Sequence, residues 1–257
     1  MARKRPEGIC HICGTSGPLS FEHIPPKSAF NNRPVISLHF DQAMSLGPDE
    51  VARGPQQQKG MGGYTLCERC NNQTGHWYGD KFVAWCYQGM EILERARSRP
   101  TLIYLNYIFP LRILKQIVAM FLSVNPGTFR EHHPELARFV LNRDARHLPP
   151  EYRFFVYYNL EGRQRTVGVA AVANMETGNA SLLSEITFPP FGYVMTIDSN
   201  PPDGRLAEIT HFSHYGYEEF SVFSLRLPVL PTHTAFPGDY RTKEQIYRDA
   251  RMTPPEH

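Results

Sequence analysis

Four of the five cysteines fall in two pairs, Cys10-His11-Ile12-Cys13 and Cys67-Glu68-Arg69-Cys70, while Cys86 stands apart. Two intervening residues let both thiolates of a pair turn toward one ion, and two such pairs complete the tetrahedral four-thiolate shell that structural zinc prefers. The 53 residues from Gly14 to Leu66 exceed the usual spacing between the halves of a zinc ribbon, so the site must carry an insertion. Four cysteines could also pair as disulfides. However, the basic start Met-Ala-Arg-Lys-Arg is followed by no apolar run, so no export signal accompanies them and reduced thiols are expected. One structural Zn²⁺ on Cys10, Cys13, Cys67 and Cys70 is therefore expected, with no need for His11 or His76 as ligands. Cys86, between Trp85 and Tyr87, reads as a small buried hydrophobe.

Between the pairs stands Ser20-Phe21-Glu22-His23-Ile24-Pro25-Pro26-Lys27, and the second pair runs into Asn71-Asn72-Gln73-Thr74-Gly75. The succession Cys-x-x-Cys, Glu-His-Ile-Pro, Leu-Cys-x-x-Cys-Asn resembles the zinc-containing branch of the HNH (ββα-metal) endonuclease superfamily, over about Cys10 to Tyr78. The resemblance implies a β-hairpin followed by a helix, with His23 ending the first strand, Asn71 opening the helix, and zinc holding the scaffold from behind. It further implies that His23 is the general base that deprotonates the attacking water, and that Glu22 and Asn71 contact a catalytic Mg²⁺ or Mn²⁺. The implied activity is metal-dependent hydrolysis of phosphodiester bonds in nucleic acid, DNA in preference to RNA. Two positions depart from the family pattern. Gly62 stands where the middle Asn would brace the base, and Asn71 stands where a histidine is frequent, with Asn72, His76 and Asp80 near enough to compensate.

The residue types suit that chemistry independently of the resemblance. A neutral imidazole titrates near physiological pH and can take a proton from water. Carboxylate and amide oxygens suit a hard cation, whereas thiolates suit zinc, so the chain offers two metal sites of different softness. Lys27, Lys59 and Arg69 are available as phosphate contacts. A reading without catalysis stands beside this one: a zinc scaffold that binds nucleic acid or another protein and cuts nothing, which Gly62 favours.

Asn71 to Arg97 is expected to be helical, because Phe82, Trp85, Cys86, Met90 and Leu93 recur at helical spacing, and the neighbouring aromatics read as core. Gly47 to Gly63 has the composition of a long loop. The sequence changes character at Arg99-Pro100, which sets residues 1–99 apart as the zinc-stapled module from residues 100–257. The apolar stretch Ile103 to Val124 is broken by Pro110, Arg112, Lys115 and Gln116, so it reads as a buried or amphipathic helix and not a membrane span. Helices are expected over Leu111–Val124 and Pro134–Arg143, then a hairpin of Tyr152–Asn159 with Arg163–Ala173. Strands over Leu182–Phe188, Tyr193–Asp198, Ala207–Phe212 and Phe220–Leu227 follow, and Arg241–Arg251 closes the chain as a surface helix. The fold class is thus α+β, with an antiparallel sheet in the second domain. His132, His133, His211 and His214 lack acidic partners at ligand spacing and read as ordinary side chains.

With 257 residues, 41% hydrophobic and 20% charged, the chain can bury a large core, and disorder on a large scale is excluded. A net charge of +2 does not by itself announce a nucleic-acid binder, so any basic surface must be local. Residues 1–99 hold twelve Lys and Arg against nine Asp and Glu, the remainder fifteen against sixteen, a difference compatible with phosphate binding in the front region. A cytoplasmic location is expected. Residues 100–257 are expected to select substrate, to take a protein partner or activating ligand, as in a defence or mobile-element system, or to build an oligomer.

Overall fold

The computed structural model describes residues 5–96, 99–173 and 180–252. Its first sheet has three antiparallel strands in the order β1-β2-β5: β1 (Glu7–Ile9), β2 (Ser16–His23) and β5 (Gly62–Cys67). Between β2 and β5 lies the insertion, with the ribbon β3 (Val35–Ile36) and β4 (Gln56–Gln57) and the short helix α1 (Phe40–Met44). Helix α2 (Glu68–Thr74) leaves β5 directly, passes through a π-helical turn at Gly75–Gly79, and continues as α3 (Asp80–Ala96). The helix therefore starts three residues before Asn71, with Cys67 at its N-cap. Its expected end at Arg97 lies outside the described residues.

Next come β6 (Thr101–Ile108), α4 (Pro110–Val124), α5 (Phe129–His132) and α6 (Pro134–Leu141). A five-stranded antiparallel sheet follows: β7 (Tyr152–Tyr158), β8 (Arg165–Ala173), β9 (Ala180–Phe188), β10 (Phe191–Ile197) and β11 (Ala207–Glu208), in the order β11-β7-β10-β9-β8. The chain closes with a 3₁₀ turn at Thr210–His214, β12 (Ser221–Pro228), which pairs with β6, and α7 (Lys243–Met252). The fold is α+β with antiparallel sheets.

Three expectations are corrected. β7 and β8 do not form a hairpin. β7 is buried along almost its whole length and takes a central place between β11 and β10, whereas β8 is a half-exposed edge beside β9. After β7 the chain is diverted by Asn159, whose buried amide donates to Glu161 O, Leu230 O and Thr232 Oγ1. Residues 103–108 are strand and not the start of the helix. Their burial alternates, with Leu102, Asn106 and Ile108 inside and Ile103, Leu105 and Tyr107 outside, and the helix begins only at Pro110. Ala207–Phe212 is strand for two residues and then turns into the 3₁₀ segment.

Helix α4 is the axis of the molecule: every residue from Pro110 to Ser123 is buried. A helix apolar nearly all round must be enclosed on every side. The π-helical turn packs on one flank, where Arg112 Nε donates to Trp77 O at 2.7 Å, and α6 on another, where Lys115 Nζ donates to Asn142 O at 2.8 Å. The large sheet covers a third, with Phe121 against Phe154 and Val169 N donating to Asn125 Oδ1. The apolar core runs on past position 100. Trp85 of α3 stacks on Phe191 of β10 at 4.3 Å, and Phe82 packs against Tyr193. Tyr78, Phe82 and Trp85 are fully buried, as the helical spacing implies. Among the described residues, no helix is long and apolar enough to cross a membrane.

Candidate metal centre and cleft

The two cysteine pairs meet at one end of the β2–β5 pair. Cys10 follows β1 and Cys13 closes a tight turn, with Gly14 N donating to Cys10 O, while Cys67 ends β5 and Cys70 lies in the first turn of α2. The bulge between Ser20 and Phe21 of β2 leaves Thr65 of β5 out of register, and Thr65 O accepts from His11 N, which ties the cysteine turn to the strand. All four Sγ atoms lie within 4.8 Å of one another, and Cys13 Sγ and Cys67 Sγ are 3.8 Å apart. A tetrahedron with zinc–sulfur bonds of about 2.3 Å has edges of about 3.8 Å, so the cluster has the dimensions of a zinc site. It is far too open for disulfides, and all five cysteines are free. The Cys10 thiol is pushed down to about 4, chiefly by its hydrogen bond with Cys70, and that bond pushes Cys70 up. A four-cysteine cluster consistent with a structural zinc site is therefore present. Among the described residues it is the one group of three or more His, Cys, Asp or Glu able to share an ion, so the downstream histidines form no such cluster.

His23 lies at the other end of β2, four residues from Leu19, which pairs with Cys67. That separation is about 13 Å along the strand. Glu22, His23 and Asn71, although some 50 residues apart in sequence, line one cleft of about 530 Å³, together with Lys27, Asp80 and Gln116. Asn71 Nδ2 donates to Ser20 Oγ at 3.0 Å and to Phe21 O at 3.1 Å, which fixes α2 against β2 and leaves its Oδ1 uncommitted among the described hydrogen bonds. Glu22 is 5% exposed, its carboxyl makes no hydrogen bond or ion pair among the described residues, and burial pushes that carboxyl up to about 8. A buried carboxyl without a partner and an amide oxygen left over are donors that fit a hard cation.

The His23 ring packs edge-on to Phe21, with centroids 5.0 Å apart, and borders a second recess of about 340 Å³ lined by Lys27, Asn32, Gln58 and Lys59. Burial chiefly holds the imidazole below its ordinary value, the Lys59 backbone opposes, and the charges of Lys27 and Lys59 add to the lowering. The lowering favours the neutral form of the ring. Lys59 Nζ lies over the rings of Phe21 and Tyr64. Arg69 does not line the cleft, nor do Asn72 and His76, and the Asp80 carboxylate is engaged by Arg112 at 3.1 Å and Lys81 at 3.2 Å.

Gly62 is there for close approach, since a Cβ at that position would sit 2.0 Å from Glu22 O. An Asn side chain could not occupy it. The backbone beside Gly62 is held instead by Asn31, a residue without a spacing signal in the sequence. Its Nδ2 donates to Pro25 O and to Met61 O, and its Oδ1 accepts from Met61 N, each at 2.7 Å. Asn31 is 1% exposed and clamps the segment just after His23 to the one just before Gly62. The one sequence signal for such a clamp is the cluster Gly60-Met61-Gly62-Gly63, which marks a backbone that something approaches closely.

No family model matches the chain, and no curated protein or solved structure matches it either.

Proposed function

We propose that this chain is a zinc-stapled module acting on nucleic acid and, more specifically, a divalent-metal-dependent endonuclease of the HNH (ββα-metal) type that hydrolyses phosphodiester bonds, preferably in DNA. The observation that supports it is the convergence of Glu22 and His23 from β2 with Asn71 from α2 in one cleft, at the end of β2 remote from the cysteines. In this reading the neutral, half-buried His23 takes the proton from the attacking water. Glu22 and Asn71 Oδ1 would hold Mg²⁺ or Mn²⁺, which stabilises charge on the phosphate and the leaving oxygen. Asn31 keeps the base at its strand end, and Lys27 and Lys59, on either side of His23, neutralise the backbone of the bound strand. Control through residues 100–257 by a partner or activating ligand, as in a defence or mobile-element nuclease, rests on the resemblance alone.

The second reading, a zinc scaffold that binds nucleic acid or a partner without cutting, is the one the four-cysteine cluster supports most directly, because it requires nothing of the cleft. Incubating zinc-loaded protein with plasmid DNA and with single-stranded RNA, each with and without Mg²⁺ or Mn²⁺, separates the two. Cleavage that depends on the added ion favours the nuclease. Retarded mobility of the nucleic acid with no cleavage under any ion favours the scaffold.

A further inference from the structure

The cleft contains a buried oxygen to which the proposed reaction assigns no role. Gln116 of α4 is 2% exposed, lines the cleft, and its Oε1 has no hydrogen-bond partner among the described residues. The cationic side chains buried near it on α4 are satisfied: Arg112 by Trp77 O and Asp80, Lys115 by Phe139 O and Asn142 O. An amide oxygen shut away from water without a partner costs free energy, and such an atom in a folded protein is ordinarily met by a bound water or ion.

The wall between Asn71 and Gln116 is bare. Asn71, Gly75 and Gly79 follow at four-residue steps on one helix face, where a Cβ at Gly75 would meet nothing within 4 Å and one at Gly79 would meet only Gln116 Oε1, at 3.8 Å. The π-helical turn that carries both glycines is a distortion found frequently at functional sites. Three residues with oxygen-bearing side chains, from three separate elements, therefore line one cleft: Glu22 of β2, Asn71 of α2 and Gln116 of α4. A carboxylate with two neutral amides is a hard, singly negative donor set, suited to Mg²⁺ or Mn²⁺ and poorly suited to zinc.

We infer that Gln116 Oε1 is a further ligand of the divalent cation held by Glu22 and Asn71, so that helix α4, from beyond residue 100, completes the metal site. The inference rests on the nuclease reading for the existence of that ion, but it is tested by binding alone. Mn²⁺ is titrated into zinc-loaded full-length protein, and the free ion is followed by its electron paramagnetic resonance signal for the parent, Glu22→Gln, Gln116→Leu and Gln116→Glu.

Parent binding that is lost in Glu22→Gln and weakened by about tenfold or more in Gln116→Leu, with zinc content and melting retained, is the expected result. Gln116→Glu restores an oxygen donor and should bind at least as tightly as the parent, which keeps the test decisive if Gln116→Leu does not fold. Unchanged affinity in Gln116→Leu, as would follow if Oε1 only bonds a trapped water, overturns the inference and leaves the nuclease reading standing. So does weaker binding in Gln116→Glu. A parent that binds no Mn²⁺ overturns both. Gln116-dependent Mn²⁺ binding without cleavage of any nucleic acid upholds the ligand and sinks the nuclease.

Discussion

Replacing Asn31 by alanine removes three hydrogen bonds, a buried one to Pro25 O and two part-buried ones to Met61 O and Met61 N, each 2.7 Å long. A neutral buried bond contributes about 1 kcal/mol net, so the loss is about 3 kcal/mol before any penalty for stranded groups. Met61 O keeps a second partner in Ile24 N, whereas Met61 N and Pro25 O lose the Asn31 amide. For a chain of this length, about 3 kcal/mol corresponds to a fall in melting temperature of about 6–12 °C. Differential scanning calorimetry of zinc-loaded protein reads it directly. Asn31→Asp sharpens the test, because it keeps an acceptor for Met61 N but turns a carboxylate toward two carbonyl oxygens, so it should melt no higher than Asn31→Ala. Cleavage should fall in both, with zinc content unchanged, because the clamp acts on the His23 end of β2 and not on the cysteine end. A melting temperature within about 2 °C of the parent would refute the assignment of Asn31 as the brace.

Cys67→Ser should lose bound zinc, measured by elemental analysis, and lose the fold of residues 7–74 with it, since thiolate–zinc binding is on the order of 10 kcal/mol; a folded, zinc-free Cys67→Ser protein would refute the scaffold role. Burial holds the Lys115 ammonium down to about 7, below its unfolded value of 10.5. Between those values the unfolded chain binds the extra proton, so stability rises with pH. Urea melts of the parent against Lys115→Met at pH 7.5 and 9.5 should show the parent gaining about 2–3 kcal/mol relative to the variant, and a parallel pH dependence would contradict this. A fragment starting at Pro100 would leave Phe191 and Tyr193 without the Trp85 and Phe82 side chains they pack on, so circular dichroism should find it melting below the full chain. Equal melting would establish residues 100–257 as an independent unit.

The parts legible in the sequence were those encoded locally. Two Cys-x-x-Cys pairs bring their own geometry, and the helices from Asn71 onward and over Leu111–Val124 announce themselves by periodicity. What was not legible depends on partners far away in the chain. Nothing in Tyr152–Tyr158 says that its neighbours are β10 and β11 and not the strand that follows it, because pairing order is decided by which strand must be covered on both faces. Asn31 carries no spacing signature, and its partners are fixed only when the insertion folds back on Met61. Gln116 left a faint mark, as a polar residue in a helix apolar almost all round, and its place in the cleft needed the packing of α4 against the π-helical turn.

The most direct measurement of the central claim is the cleavage rate of His23→Ala beside the parent, on the same plasmid, with Mn²⁺ saturating and zinc content matched. Removal of a positioned general base should lower the rate by about 10²–10⁴-fold while zinc content and melting temperature stay at parent values. If His23→Ala cuts at the parent rate under those conditions, His23 is not the base and the cleft is not the nuclease site proposed here.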